Sequence, residues 1–321
     1  MEVKRAKREK LKASVALMGA SGSGKTLTGI LIAKGFIMAK YPKLDAKSEK
    51  FWDKIGVIDV EHKRALLYAN TTRADEYIGE FLHLDFAAPF STERYREAVM
   101  DMKRSGAEVI VLDSLSHAWE GTGGILDEQQ RLGGRFQDWR TINPKIKDFY
   151  KTLTEMDIHV ISTIRTKQEY LAEATETGKM NITKMGTKPI QKDDIEYEMQ
   201  VSWMLDMKHI ATAVKDSSGM FDDMPKRLGI EDGKALYQWL EAGEDMTAKR
   251  EAERLTLLEK YDTIIEINNV ILNDYADNLI KGANKKYGYG LDIKKFPPDA
   301  IRSTIEALLT KAAASKIEVV I

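Results

Sequence analysis

Residues 19–26 read Gly-Ala-Ser-Gly-Ser-Gly-Lys-Thr, which matches the spacing of a phosphate-binding loop, G-x-x-x-x-G-K-[ST]. In such a loop the glycines allow backbone N–H groups to surround a β-phosphate, because no Cβ atom stands in the way. Lys25 would reach the β- and γ-phosphates, and the Thr26 hydroxyl is a ligand for Mg²⁺. The sequence therefore predicts a nucleotide site with these members: Gly19, Ala20, Ser21, Gly22, Ser23, Gly24, Lys25, Thr26 and Leu27.

A carboxylate that supports the metal is expected at the end of another apolar strand. Residues 109–112 read Val-Ile-Val-Leu and are followed by Asp113. The carboxyl ends of parallel strands meet at one edge of the sheet, where ligands bind. Taken alone, Asp113 fits better as a residue that caps the loop after a strand. Together with the phosphate loop, it is predicted to hold Mg²⁺ with Thr26.

Hydrolysis of ATP also requires a group that orients or deprotonates a water molecule. Glu61 closes the stretch Asp59-Val60-Glu61-His62, which follows a predicted strand. It should reach the same sheet edge as Lys25 and Asp113, and it is the candidate for this role. The alternative is that Glu61 is a surface residue of a strand-to-helix loop.

The elements that must position these residues alternate between strand and helix patterns as far as residue 165. Apolar runs of strand length cover residues 14–18, 55–60, 81–86, 109–112 and 158–164. Helical spacing is found over residues 27–37 and 91–102, and Asn143-Pro144 is predicted to start a further helix. Alternation of this kind predicts an α/β fold with a mainly parallel central sheet flanked by helices.

The pattern changes after residue 165. Residues 168–184 hold two extended pieces around residues 176–179 and predict a hairpin, and residues 195–215 predict further strands. Apolar spacing from residue 255 to residue 279 predicts one long amphipathic helix, and a second helix follows Pro297-Pro298. We expect a core domain over residues 13–242 and a small helical region over residues 243–321.

Residues 1–12 form a basic N-terminal tail in this division. The tail is either a solvated segment or an arm that contacts phosphates or a neighbouring subunit. The chain as a whole has 49 Lys and Arg against 50 Asp and Glu. A net charge of −1 argues against bulk electrostatic attachment to nucleic acid or membrane, so any anion site must be local.

Several other kinds of site are excluded or disfavoured. The chain has no cysteine, which excludes thiolate catalysis, thiolate metal sites and disulfides. Its five histidines lack metal-ligand spacing and are interpreted as packing or surface groups. No apolar run approaches the ~18–20 residues of a transmembrane helix. We therefore expect a cytoplasmic protein without a membrane partner.

The motifs together resemble the core of RecA-type recombinase ATPases, and most closely the phage-encoded RecA-core proteins that are labelled AAA-family ATPases. The resemblance covers residues 13–240 and rests on residues 59–62, 105–124, 162–165 and 197–216. It implies a P-loop ATPase that uses ATP and Mg²⁺, with Glu61 activating water. It further implies a ring or filament of identical subunits on single-stranded DNA, in recombination or replication inside the bacterial host. Phage recombination or single-strand-binding proteins would be further partners.

The chain departs from this family at one position. Relatives often show K-x-R near the end of the sheet, where a neighbouring subunit inserts a cation at the γ-phosphate. Here the stretch is Lys215-Asp216-Ser217, so Lys215 matches and Ser217 stands in place of arginine. Lys215 is the predicted trans-acting cation, with Arg165, Lys226 and Arg227 as alternatives. Loss of the arginine predicts slow basal hydrolysis.

Two segments beyond the Asp113 strand face the central axis in this architecture and are predicted to contact DNA, namely residues 115–143 and 166–194. The candidate contacts are Trp119, Arg131, Arg135, Arg165 and Lys167. Aromatic residues among glycines and arginines suit base stacking combined with phosphate contact. The alternative is that Phe136 and Trp139 pack into the core. Charges in the second segment nearly balance, which weakens a phosphate-gripping role.

Two other functions stay open at this level. One is an ATP-dependent switch or loader that acts on a protein partner through the C-terminal helices. The other is a ring-forming DNA motor. Stimulation of ATP hydrolysis by single-stranded DNA separates the first from the recombinase, and an unwinding assay tests the second.

Overall fold

The computed structural model describes residues 5–174, 180–193, 195–222, 224–267, 269–287 and 289–319. The chain forms two compact units, Leu11–Ala242 and a second unit made of Met1–Lys10 with Gly243–Ile321. In this division, residues 5–10 of the N-terminal segment group with the C-terminal helices. Across the described residues, no helix combines the length and the apolar character needed to cross a membrane.

The larger unit is built on an eight-stranded sheet. The strands of the chain are β1 (Ser14–Gly19), β2 (Ile55–Asp59), β3 (Thr71–Arg73), β4 (Glu76–Ile78), β5 (Leu82–Asp85), β6 (Val109–Asp113), β7 (His159–Ala174), β8 (Met180–Pro189), β9 (Val201–Leu205) and β10 (Ala211–Asp216). The sheet has the order β10-β9-β1-β7-β6-β2-β5, with β8 paired to β7, while β3 and β4 form a separate two-stranded sheet. All pairings from β9 through to β5 are parallel; β10 and β8 pair antiparallel.

Helices cover both faces of this sheet. Those of the larger unit are α1 (Lys25–Lys40), α2 (Glu49–Trp52), α3 (Thr92–Arg104), α4 (Ser116–Glu120), α5 (Ile125–Arg131), α6 (Trp139–Thr154), α7 (Ile195–Glu198) and α8 (Ile230–Glu241). Side chains alternate along β1, so Leu17 packs in one core with α1 and α8, and Met18 packs in the other with α3 and α6. The predicted α/β fold, with a mainly parallel sheet flanked by helices, is confirmed.

Strand register brings the carboxyl ends of the central strands to one edge. Gly19 at the end of β1 pairs with Arg165 on one side and with Leu205 on the other. Asp59 at the end of β2 pairs with Asp113 at the end of β6. The phosphate loop, the Asp113 carboxylate and the chain that follows Asp59 therefore meet at the same edge.

Helix α6 begins at Trp139, so the predicted start at Asn143-Pro144 was wrong. Pro144 lies inside the helix. Its ring removes one backbone hydrogen bond and would ordinarily favour a helix end. Packing explains the earlier start, because Ile142 is fully buried with Ile125 and Ile146, and Trp139 packs against this cluster.

Two further sequence-based expectations need correction. Residues 195–198 form the short helix α7 and not a strand. The predicted long helix is two helices, α9 (Thr247–Glu266) and α10 (Val270–Tyr287). Asn269 explains the break, since its side-chain oxygen accepts a hydrogen bond from the Ile271 N–H and so caps α10. The hairpin consists of β7 and β8, and its predicted turn at residues 176–179 lies outside the described residues.

The smaller unit has its own apolar core. Helices α9, α10 and α11 (Pro298–Ala314) bury residues that include Ile264, Leu272 and Leu308. The N-terminal segment is bonded to the start of this unit, because Glu244 donates its N–H to Arg8 and accepts the Lys10 N–H. Gly243 permits this approach, since a Cβ atom there would lie 2.2 Å from the Glu9 carbonyl carbon.

At the opposite edge of the sheet, a charged cluster connects the end of α1 with the residues just before β2 and β6. Glu108, just before β6, accepts hydrogen bonds of 2.6–2.7 Å from Lys40 at the end of α1, from Tyr41, and from Lys54 just before β2. Burial alone would raise the pKa of Glu108, but these hydrogen bonds lower it to about 2. The ionised carboxylate is therefore favoured in the folded protein.

Replacing Glu108 with glutamine should lower the free energy of unfolding by about 1–2 kcal/mol at pH 7, a modest value because solvent partly screens the cluster. The folded pKa lies below the ordinary value, so this stabilisation is complete above that value and is lost as the pH falls towards 2. Urea unfolding at pH 7 and pH 3 should show the difference shrinking at the lower pH. Glu97→Gln on the exposed face of α3 is the matched control, and an equal loss for both variants would contradict the prediction.

Candidate nucleotide-binding site

The phosphate loop lies between β1 and α1, and its backbone is packed closely at both ends. A Cβ atom at Gly19 would lie 2.6 Å from both the Leu205 carbonyl oxygen and the Ser23 hydroxyl. Only glycine fits this close approach between two strand ends. The Ser23 hydroxyl is buried and has no hydrogen-bond partner among the described residues. A buried polar group of this kind at a loop rich in N–H donors suits an anionic ligand.

Lys25 is the first residue of α1, and its ammonium group lies against the start of the loop. Its Nζ donates to the carbonyl oxygens of Gly19 (2.9 Å) and Ala20 (2.8 Å). Burial lowers the pKa of Lys25, while the negative charges of Asp113 and Glu61 oppose that effect. The ammonium group is therefore a largely desolvated cation at the loop, where a phosphate would be a strong partner.

Thr26 and Asp113 are brought together by the sheet edge. The Thr26 hydroxyl donates to Asp113 Oδ2 at 2.6 Å, and the Thr163 hydroxyl on β7 donates to Asp113 Oδ1. Burial raises the pKa of Asp113, and the two hydroxyl hydrogen bonds oppose the rise. A buried carboxylate beside a hydroxyl gives hard oxygen donors that fit Mg²⁺. Among the described residues, no three or more acidic or histidine side chains are arranged so that they could hold a metal ion together, so a metal here would take few protein ligands.

Glu61 points at the same edge and is held by two arginines. Its Oε1 accepts from Arg165 Nε at 2.7 Å and its Oε2 from Arg64 Nη1 at 3.3 Å. The side chain is only 12% exposed. Burial would raise the pKa of Glu61, but the hydrogen bond and charge of Arg165, with the charges of Arg64 and Lys25, hold it below the ordinary value. Glu61 is thus an ionised, oriented carboxylate near Lys25.

Asp59 organises the loop that carries Glu61, a role that sequence reasoning missed. Its carboxylate is fully buried and accepts the Glu61 N–H at 2.7 Å and the Ala65 N–H at 2.9 Å. His83 Nε2 lies 3.3 Å from the same carboxylate. The sequence feature that could have indicated this role is an acidic residue at the end of an otherwise apolar strand. A buried carboxylate there needs hydrogen-bond donors, and backbone N–H groups of the following loop supply them.

Tyr68 is a second residue that the sequence did not single out. Burial raises the pKa of its phenol, and the negative charge of Asp113 raises it further. The ring therefore lies within electrostatic reach of the Asp113 carboxylate. Tyr68 is the last residue of the 3₁₀ helix Arg64–Tyr68, a segment with no motif of its own.

Lys215 does not join this cluster within the chain. It lies on β10 opposite Ser202, towards the amino ends of the parallel strands. Its Nζ donates to the Tyr197 carbonyl oxygen. Lys215 is thus placed away from the phosphate loop of its own chain, and its predicted trans-acting role concerns a neighbouring subunit.

The predicted DNA contacts fall into separate places. Trp119 and Lys167 line one cavity at the base of the β7–β8 hairpin. Arg131 is paired with Asp127 one helical turn away on α5, and Arg135 is exposed in the following loop. Arg165 forms an ion pair with Glu61, because a buried carboxylate is stabilised by a counter-charge, and this contact places it beside the phosphate loop.

Comparison with known proteins agrees with this geometry. A family model for the AAA domain, AAA_24, matches residues 11–227, which is more than half of the chain and includes the phosphate loop, Glu61 and Asp113. No curated protein matches the chain. The matched domain indicates nucleotide binding and ATPase activity in general terms, as the loop and its lysine do. The chain belongs to the AAA domain family AAA_24.

Proposed function

We propose that this protein is a RecA-like ATPase that hydrolyses ATP with Mg²⁺ and binds single-stranded DNA in phage recombination or replication. The observation that carries the proposal is a cavity beside the phosphate site, reached along β7 only two residues beyond Arg165. The cavity encloses about 380 Å³ and is lined by Trp119 and by Lys167 and Lys188 from the two strands of the hairpin.

The residues of the phosphate site have complementary roles in this proposal. Backbone N–H groups of the loop bind the phosphates, and Lys25 neutralises their charge. Thr26 and Asp113 would hold Mg²⁺, which supplies further charge neutralisation at the phosphates when it is bound. Glu61 orients the attacking water through its carboxylate. The lowered pKa of Glu61 suits orientation of water better than full proton removal.

The cavity has the chemistry of a site for single-stranded nucleic acid. Trp119 stacks on Trp139 with ring centroids 6.0 Å apart and an angle of 23° between the planes. An indole that is already supported on one face offers a rigid platform for a base. Lys167 is exposed, and Lys188 forms an ion pair with Asp193 at 2.7 Å. Glu169 and Asp193 also line the cavity and balance these two lysines, so base stacking on the indole would contribute more to binding than phosphate contact.

Arg165 supports a link between this cavity and hydrolysis. Its side chain binds Glu61, its N–H donates to the Ser116 hydroxyl at 2.8 Å, and its carbonyl oxygen accepts the Ile190 N–H at 2.7 Å. Ser116 begins the helix that carries Trp119, and Ile190 lines the cavity. A ligand in the cavity would therefore lie against segments that are hydrogen-bonded to Arg165, and Arg165 in turn binds Glu61.

The test is ATP turnover with and without a single-stranded oligonucleotide at low salt. We expect turnover to rise with the oligonucleotide, and the double variant Lys167→Gln/Lys188→Gln to need roughly tenfold more oligonucleotide for half-maximal stimulation. Lys43→Gln/Lys47→Gln is the matched control, because it removes the same charge from exposed positions beyond the far end of α1. Turnover that is indifferent to the oligonucleotide would contradict the DNA part of the proposal.

A second candidate function is favoured by the surface of the smaller unit. Val270 is 72% exposed and Leu291 is 67% exposed, which suits a protein partner. In that case the protein is an ATP-dependent switch or loader, and hydrolysis responds to the partner and not to DNA.

As a recombinase, the protein would assemble into a ring or filament, with Lys215 of one subunit acting at the phosphate site of the next. Light scattering with ATP and oligonucleotide would detect that assembly.

A further inference from the structure

The turn that follows β9 lies against the phosphate loop. His209 Nδ1 is 3.0 Å from the Ser23 carbonyl oxygen. A carbonyl oxygen only accepts hydrogen bonds, so the imidazole is the donor and carries hydrogen on Nδ1. Sequence reasoning interpreted all five histidines as packing or surface groups. His209 is instead a surface residue with a specific contact to the nucleotide site.

Hydrogen bonds within the turn hold this imidazole in place. Asp206 Oδ1 accepts the N–H groups of Lys208 (2.8 Å) and Ile210 (2.9 Å). The His209 N–H donates to the Asp206 carbonyl oxygen at 3.1 Å, and the Asp206 N–H donates to the Ile210 carbonyl oxygen at 3.0 Å. His209 has φ 65°, a left-handed conformation that is uncommon for a residue with a side chain. A strained backbone held by several bonds is typical of functional positions.

The contact has a direct effect on the phosphate loop because a peptide group is planar. The Ser23 carbonyl and the Gly24 N–H belong to one peptide unit and point in opposite directions. When His209 holds the oxygen on the outside of the loop, the Gly24 N–H is turned to the other side. In a phosphate loop, N–H groups at this point surround the phosphates. The imidazole therefore sets the direction of a phosphate-binding donor.

Gly24 itself is explained by the same contact. A Cβ atom at this position would lie 2.9 Å from His209 Nδ1, and the residue has φ 88°. Any side chain here would both strain the backbone and push the imidazole away from the Ser23 oxygen. The glycine that precedes Lys25 in this chain is thus fitted to the imidazole as well as to the phosphate.

We propose that His209 is a positioning residue for triphosphate binding, which acts by fixing the orientation of the Ser23–Gly24 peptide. The inference rests on the proposed binding of ATP at the phosphate loop and adds a residue outside the family motif to that site. Neutral imidazole with hydrogen on Nδ1 and the charged ring both donate to Ser23, so the contact requires no particular charge on the ring.

Two variants separate the side chain from its unusual backbone. His209→Gly adopts a positive φ without cost and lacks the donor. His209→Asn also accepts a left-handed conformation and carries an N–H close to the position of Nδ1. We expect the glycine variant to bind ATP with Mg²⁺ about three- to tenfold more weakly, because the loss of one hydrogen bond typically changes affinity by about this factor. The asparagine variant should bind within about twofold of the unchanged protein.

The measurement is titration with a fluorescent ATP analogue, together with the rise in Tm that ATP produces. A purely structural role would lower Tm without nucleotide and leave the Kd unchanged, and that result would overturn the inference. Equal affinity of the glycine and asparagine variants would also overturn it. If the unchanged protein binds no ATP, the proposed function itself fails and the inference with it. If binding is lost only on Lys25→Ala, the function stands and the role of His209 is wrong.

Discussion

Replacing Lys25 with alanine should weaken ATP binding by at least about 100-fold and abolish turnover. The ammonium group is buried at the loop, where it would contact both the β- and γ-phosphates. Hydrogen bonds between charged groups contribute about 1.5–3 kcal/mol each, so losing two corresponds to a factor of roughly 100 or more. Calorimetric titration with ATP and Mg²⁺ measures the change in affinity directly.

The control for this variant lies on the same helix. Lys40→Ala removes an equal charge at the last residue of α1, ~22 Å from Lys25 along the helix axis. It should leave ATP affinity unchanged, although it loosens the Glu108 cluster. Circular dichroism establishes that both variants are folded. Nearly normal ATP binding by folded Lys25→Ala protein would refute the assignment of the phosphate site.

Replacing Glu61 with glutamine should lower the rate of ATP hydrolysis about 100- to 1000-fold while leaving the Kd for ATP within about threefold. The amide has nearly the same shape and can still accept a hydrogen bond from Arg165, but it lacks the negative charge that orients water. A carboxylate that orients or deprotonates the attacking water commonly contributes a factor of about this size. Single-turnover hydrolysis and equilibrium ATP binding separate the two effects.

The matched control is Asp85→Asn, at the end of the strand next to β2. Asp85 pairs in register with Asp59 and forms an ion pair with Lys63. It is thus an acid on the same sheet edge that has no contact with the phosphate loop. Turnover of this control should stay within about twofold. Loss of ATP binding by the Glu61→Gln protein would show that Glu61 holds the loop and does not act on water.

The sequence predicted the parallel core because its patterns there are local. Strand runs such as residues 109–113 and the helix after the phosphate loop each carry their own periodicity. The start of α6 and the break between α9 and α10 were not predictable in this way. The first depends on packing of Ile142 with residues from another helix, and the second on a hydrogen bond from one asparagine.

At the candidate site, too, residues in local motifs were predicted, whereas contacts between residues far apart in the chain were not. The motif named Lys25 and Thr26, and strand ends suggested Asp113 and Glu61. The pairing of Arg165 with Glu61 joins residues 104 positions apart in the chain, and the contact of His209 with Ser23 spans 186 positions. Arg165 was considered from the sequence only as a DNA contact or a trans-acting cation, and His209 belongs to no motif. Only the folded arrangement of the sheet edge shows the contacts that these two residues make.

Strand β7 extends well beyond Arg165 and the phosphate loop. The strand continues nine residues past Arg165 to Ala174, a distance of ~30 Å at the usual rise per residue. Because the protein contains no cysteine, one introduced thiol near residue 174 would carry a unique fluorescent label. A change in its fluorescence on addition of ATP or of an oligonucleotide would show that this part of the hairpin responds to that ligand.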